Sequence, residues 1–193
     1  MTQAHTILLV DDEDAIRKAL RRVLKYEPYR VLDTGDPNQA VEIVRNEPVH
    51  LVLSDHLMPG MLGMDLLRKV RLIKPDTIRI ILTGHAELDM ALQAINEGAI
   101  YRFLRKPWDN NEVALTVRLG IRQYEIEAEN KRLLALVEKH REFLIDLEEK
   151  NPGVTGLKKT SDGKIVIDED DIQQALAEFG DSVLIGDDVG SGK

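Results

Sequence analysis

The sequence contains no cysteine. A scaffold stapled by disulfides is therefore excluded, and a reducing compartment suits the chain. It also lacks any apolar run near the ~20 residues that a membrane-spanning helix needs. The run closest to the N-terminus, Ile7-Leu8-Leu9-Val10, is followed at once by Asp11, Asp12, Glu13 and Asp14, which is not a secretory leader. Positive charge is short too: 26 Lys and Arg stand against 34 Asp and Glu, a formal net charge of −8. Broad nucleic-acid binding rests on neutralising phosphates and is disfavoured by that balance. The expectation is a cytoplasmic protein with neither membrane nor nucleic acid as partner. The 193 residues leave room for one ordinary domain and an extension, with enough apolar material to fold without metals.

From residue 6 to about 120, short apolar runs alternate with segments of helical period. Residues 6–10, 29–32, 50–54, 78–82 and 101–104 read as strands. Residues 15–25, 37–46, 65–73 and 87–96 read as helices, with Pro37 in a first turn and Gly98 as a natural stop. Near-continuous apolar strands separated by helices indicate an α/β protein whose parallel sheet is covered on both faces. Right-handed crossovers then make it a doubly wound sheet of five strands.

A single helical pattern runs from about residue 110 to 150 without proline. Its first part is expected to pack on the sheet. Its second part carries a heptad through Ile126, Asn130, Leu133, Val137, His140, Leu144 and Leu147, and a lone Asn at an a position favours a parallel two-stranded coil. Leu134, Leu136 and Phe143 widen the apolar face beyond a simple zipper. A homodimer through this helix is the favoured expectation, and an amphipathic helix folded back on its own domain is the alternative. Beyond Asn151-Pro152-Gly153, residues 154–159 and 164–167 flank Thr160-Ser161-Asp162-Gly163, a β-hairpin signal. Residues 172–179 read as a short helix capped by Asp168 or Asp170, and the Gly- and Asp-rich residues 186–193 as a mobile end. The expected organisation is 1–122 for the main domain, 123–150 for a coiled-coil extension, and 151–193 for a small α+β segment whose role the sequence does not assign.

Polar residues gather at the strand ends. Asp11 and Asp12 follow the first strand and Asp55 the third. Ligands of doubly wound sheets bind at the carboxyl ends of strands where the strand order reverses. With the order 2-1-3-4-5, strands one and three are neighbours there, and three carboxylates converge. Such repulsion calls for a hard divalent cation, and Mg²⁺ suits one or two carboxylates with retained waters. Thr83 ends the fourth strand with a hydroxyl donor and Lys106 the fifth with an ammonium. Singly, each is more often a cap, a turn or a solvated end. Together they form a set that positions and stabilises a transferring phosphoryl group. His50, His56 and His140 are not spaced as a metal cluster and read as surface or packing residues.

The stretches Ile7-Leu8-Leu9-Val10-Asp11-Asp12-Glu13, Leu53-Ser54-Asp55-His56-Leu57-Met58-Pro59-Gly60-Met61, Leu82-Thr83-Gly84-His85 and Phe103-Leu104-Arg105-Lys106-Pro107-Trp108 resemble the CheY-like receiver domains of bacterial two-component response regulators. The resemblance covers about residues 5–122. It implies a flavodoxin-like fold and a phosphoprotein: Asp55 as the phosphoacceptor, charged by a cognate histidine kinase, and a Mg²⁺ site of Asp11, Asp12, Asp55 and the Leu57 carbonyl. It further implies that Thr83 and Lys106 contact the phosphoryl group, and that Thr83 and Phe103 act as a switch that changes the preferred downstream partner. The long helix after Trp108 is similar to receivers that continue into a signalling helix. A signalling protein is expected rather than a turnover enzyme.

Three other readings compete with this one. A phosphorylation-independent receiver-type scaffold differs only in whether Asp55 is used. An aspartate-nucleophile phosphohydrolase would explain Asp12-Glu13-Asp14-Ala15-Ile16 only with its last position missing, and would leave Asp55 without a role. A P-loop at Gly190-Ser191-Gly192-Lys193 lacks the Ser or Thr and the helix that must follow the lysine.

Overall fold

The computed structural model describes residues 5–84, 88–150, 158–159 and 165–166. The chain divides into two compact units, Met1–Lys131 and Arg132–Lys193.

In the first unit five strands alternate with five helices: β1 (Thr6–Val10), α1 (Asp14–Leu24), β2 (Arg30–Thr34), α2 (Pro37–Asn46), β3 (Leu51–Asp55), α3 (Gly63–Ile73), β4 (Ile78–Thr83), α4 (Leu88–Asn96), β5 (Arg102–Arg105) and the start of α5 (Asn110–Lys150). The sheet order is β2-β1-β3-β4-β5 and all its pairings are parallel. This is the flavodoxin-like doubly wound sheet. Strand and helix limits fall within one or two residues of the periodicity reading, with β2 two residues longer at its end and α3 starting earlier, at Gly63.

The continuous apolar strands are explained by two cores. Successive side chains of a strand point to opposite faces. Leu8, Val10, Val52 and Ile81 enter the core under α2, α3 and α4, while Ile7, Leu9, Leu51, Leu53, Ile80, Leu82 and Leu104 enter the one under α1 and α5. The four residues Ile7 to Val10 are fully buried. Val113, Val117 and Ile121 seat the first turns of α5 on the sheet. At the opposite end of the strands, Gly98 with φ +65° closes α4, as its position requires.

In the second unit, β6 (Lys158–Lys159) and β7 (Ile165–Val166) pair antiparallel, so the expected hairpin is present in these four residues. Its turn at 160–163, the expected helix at 172–179 and the end at 186–193 lie outside the described residues. Among the described residues no helix is long and apolar enough to cross a membrane.

Candidate functional site: the carboxyl edge of the sheet

Parallel pairing brings the strand ends to one edge. Asp55 lies opposite Leu82, and Thr83 opposite Arg105. The backbone N–H of His56 donates to the Leu82 carbonyl at 3.0 Å and that of Lys106 to the Thr83 carbonyl at 2.8 Å, so the tips of β3, β4 and β5 are stitched together. The Lys106–Pro107 peptide is cis.

The centre of the site is the Lys106 ammonium. Its Nζ lies 2.6 Å from Asp55 Oδ1 and 3.2 Å from Asp11 Oδ2. Asp11 is fully buried, Asp55 is 6% exposed and Thr83 is 2% exposed. Every other acceptor oxygen of the two acids is held. Asp11 Oδ1 accepts from the Glu13 N–H at 2.8 Å, and Asp55 Oδ2 from the Leu57 N–H at 3.2 Å. Burial pushes the Asp11 carboxyl above the usual carboxylate range, and the nearby Asp55 charge adds to that. The Glu13 N–H and the Lys106 ammonium oppose it without cancelling it. Burial would lower the Lys106 pKa, but hydrogen bonding to Asp55 and the Asp11 charge win and raise it. The lysine stays charged while Asp11 is held at a cost.

The structure thus brings Asp11, Asp55 and Lys106 into contact and places Thr83 at the adjoining tip. Asp12 is exposed on the same loop, and Leu57 is 59% exposed beside Asp55. Phe103 is half-buried against the core under α2–α4. Among the described residues no group of three or more His, Asp or Glu side chains is set around a metal position. The fit to a hard cation rests on Asp11 and Asp55, which already share one positive charge. Mg²⁺ asks for only one or two carboxylates, the remainder of its shell being water.

Gly63 is not among the residues that the sequence points to, and His56, read from the sequence as a surface or packing residue, is buried next to Asp55. Gly63, the first residue of α3, packs on the phosphoacceptor candidate itself: a Cβ there would lie 1.9 Å from the Asp55 carbonyl oxygen. His56 is 4% exposed, and its Nδ1 has no hydrogen-bond partner. The clue to Gly63 was its place eight residues after Asp55, where the chain must turn back over the strand tip.

The pattern of the response regulator receiver domain matches residues 7–118. The chain belongs to this family. Its receiver is 37% identical over 112 residues to sporulation initiation phosphotransferase F of Bacillus subtilis, covering 58% of this chain and 90% of that one. The hydrogenase transcriptional regulatory protein HoxA of Bradyrhizobium diazoefficiens is 36% identical over 126 residues. That match takes in 65% of this chain but 26% of HoxA, so the chain spans about a quarter of the length of that relative. Among solved structures, the signal receiver domain of an HD domain-containing protein from Pseudomonas fluorescens Pf-5 superposes with a TM-score of 0.62 at 38% identity, over 67% of this chain and 95% of that one. The receiver described here is therefore that of a two-component response regulator, and phosphoacceptor signalling is the activity class with which its edge of buried acids and one lysine is consistent.

Proposed function

We propose that this receiver takes a phosphoryl group from a histidine kinase onto Asp55. The single observation that carries the reading is the Lys106 ammonium shared between Asp55 and Asp11 at the sheet's carboxyl edge. An Asp55 carboxylate oxygen attacks the phosphorus, the bond from phosphorus to the donor's imidazole nitrogen breaks, and the nitrogen keeps the electron pair. Lys106 neutralises charge on the phosphoryl oxygens, and the Thr83 hydroxyl donates to one of them. Asp11, Asp12, Asp55 and the Leu57 carbonyl would hold Mg²⁺, which when bound supplies positive charge against the gathered acids and the incoming phosphoryl group. The new charge and acceptors favour whichever state of the β4 tip meets them best, and the half-buried Phe103 is the ring positioned to follow Thr83. The protein acts in its own phosphorylation without being a turnover enzyme, and it passes the signal to a downstream protein by contact. A cytoplasmic place accords with this role.

Incubation of the full chain with acetyl phosphate and Mg²⁺ tests the reading. One phosphoryl mass should be added to the parent and none to Asp55→Asn. A single addition that persists in the variant would remove Asp55 from its role.

The reading extends to the organisation of the chain: a receiver over 1–122, a coiled-coil extension over 123–150 and a small segment over 151–193. Ile126, Asn130, Leu133, Val137, His140, Leu144 and Leu147 form the seam of a homodimer. In support, Ile126 is 47%, Leu133 49% and Val137 53% exposed, apolar surface that a second helix would cover. Light scattering on Leu133→Glu/Val137→Glu should give a monomer mass where the parent gives a dimer; an equal mass for both excludes the seam.

A further inference from the structure

The backbone of the β1–α1 loop is held by a side chain that touches neither Asp55 nor Lys106 in any described contact. Arg17 lies one turn into α1 and is 15% exposed at its side chain. Its Nη1 donates to the Asp11 carbonyl at 2.6 Å and to the Asp12 carbonyl at 3.2 Å. Its Nη2 meets Asp14 Oδ1 at 3.1 Å and its Nε meets Asp33 Oδ2 at 3.3 Å. Asp33 is in turn gripped by Arg21. Gly35 leaves the space for this fork, since a Cβ there would come within 3.0 Å of Arg17 Nη1.

We infer that Arg17 is a positioning residue for the cation-binding acids: its guanidinium fixes the two carbonyls of the Asp11-Asp12 loop so that the carboxylates are held on the pocket side. This inference rests on the reading of Asp11 and Asp12 as Mg²⁺ ligands. The geometry accounts for every polar atom of Asp11. Its N–H donates to the Thr34 carbonyl at 3.3 Å, its carbonyl faces Arg17, and its carboxylate oxygens face Glu13 N–H and Lys106. The loop is therefore clamped on one side by β2 and Arg17, and only the carboxylate side is left for a cation. Lysine could not replace Arg17, because one ammonium on a flexible stem cannot serve two carbonyls and two carboxylates in a planar fork. Groups that orient metal ligands characteristically alter metal affinity by 10- to 100-fold when removed.

The test uses the full chain as parent, Arg17→Ala, Arg17→Lys and Asp33→Asn. The Mg²⁺ dissociation constant is taken from the rise in melting temperature with MgCl₂, and the zero-Mg²⁺ melt separates stability from affinity. Arg17→Ala should weaken Mg²⁺ roughly tenfold or more, with Arg17→Lys and Asp33→Asn in between. Acetyl phosphate labelling should slow at low Mg²⁺ and return to the parent rate at saturation. A parent-like dissociation constant in the folded variants, or a labelling defect that saturating Mg²⁺ does not repair, overturns the inference and leaves the phosphoacceptor reading standing. Should Arg17→Ala not fold, the two milder variants decide by the same criteria. A parent chain that neither binds Mg²⁺ nor takes up phosphoryl removes both readings together.

Discussion

The two edges of the same sheet handle polar groups in opposite ways. At the carboxyl edge, Asp11 and Asp55 are buried together, share one ammonium and leave Asp11 above its ordinary pKa. At the amino edge the polar groups are matched. Arg79 donates to the carbonyls of Thr77 at 2.6 Å, Ala99 at 2.8 Å, Pro75 at 3.0 Å and Gly98 at 3.4 Å, tying the loops before β4 and β5 to one guanidinium. Thr77 Oγ1 donates to the Val49 carbonyl, and Lys74 to that of Glu47. His5, His50 and Tyr124 stack edge to face, and Glu125 stands 3.5 Å from His5. Hydrogen bonds are met at both edges, and the difference lies in charge: the carboxyl edge buries two carboxylates around a single ammonium, and the cost falls on Asp11.

The sharpest way to break this contrast is volume rather than charge. Gly63→Ala forces a Cβ against the Asp55 carbonyl oxygen, and the atom in the way is backbone, which cannot swing aside. A stability loss of about 3 kcal/mol is expected, read by urea unfolding; a loss within experimental scatter would mean that the carboxyl edge yields more than its geometry implies. Charge removal should then have opposite signs at the two edges. Arg79→Met keeps the apolar stem but strips the donors from four carbonyls, a loss of about 2 kcal/mol. Asp11→Asn removes a buried carboxylate while Lys106 keeps Asp55 at 2.6 Å, and should stabilise the Mg²⁺-free protein by roughly 1 kcal/mol. Two losses of equal size would show that the Asp11–Lys106 pair outweighs the burial of Asp11, and the contrast would fail.

The fold is legible because the inner strands β1, β3 and β4 are largely apolar on both sides and end abruptly in Asp or Thr. Ile7–Val10 before Asp11 and Ile78–Leu82 before Thr83 mark both strand and edge at once. The acids at the tips of β1 and β3 and the lysine after β5 could be paired in advance because parallel strands put all their carboxyl ends together. What pattern could not supply was direction beyond the strand tip. Arg17 sits one helical turn past Asp14, and nothing in its spacing says that its fork reaches back to two carbonyls and across to Asp33. Gly63 is hidden for the same reason, its role being set by a contact eight residues back. Of the histidines read as packing or surface residues, His50 and His56 do pack, and His140 is exposed. Their partners depend on which loops the sheet brings side by side.

The smallest effect belongs to the matched edge and asks how complete the matching is. Thr6 N–H donates to His50 Nδ1 at 2.9 Å, a bond that only the unprotonated nitrogen can accept. Burial lowers the pKa of His50 from its ordinary 6.5, and the neighbouring His5 and Lys74 charges lower it further. A folded pKa below the unfolded one means that the unfolded chain takes up the proton first. The stabilisation from neutral His50 is therefore fully present above 6.5 and is lost as pH falls through the folded value. His50→Gln keeps an acceptor for the Thr6 N–H but has nothing to titrate. Melting temperatures of parent and variant should converge as pH is lowered from 7 to 5, the parent falling faster. Parallel curves would place the proton elsewhere, and the amino edge would then owe its stability to Arg79 and the loop carbonyls rather than to the histidine pair.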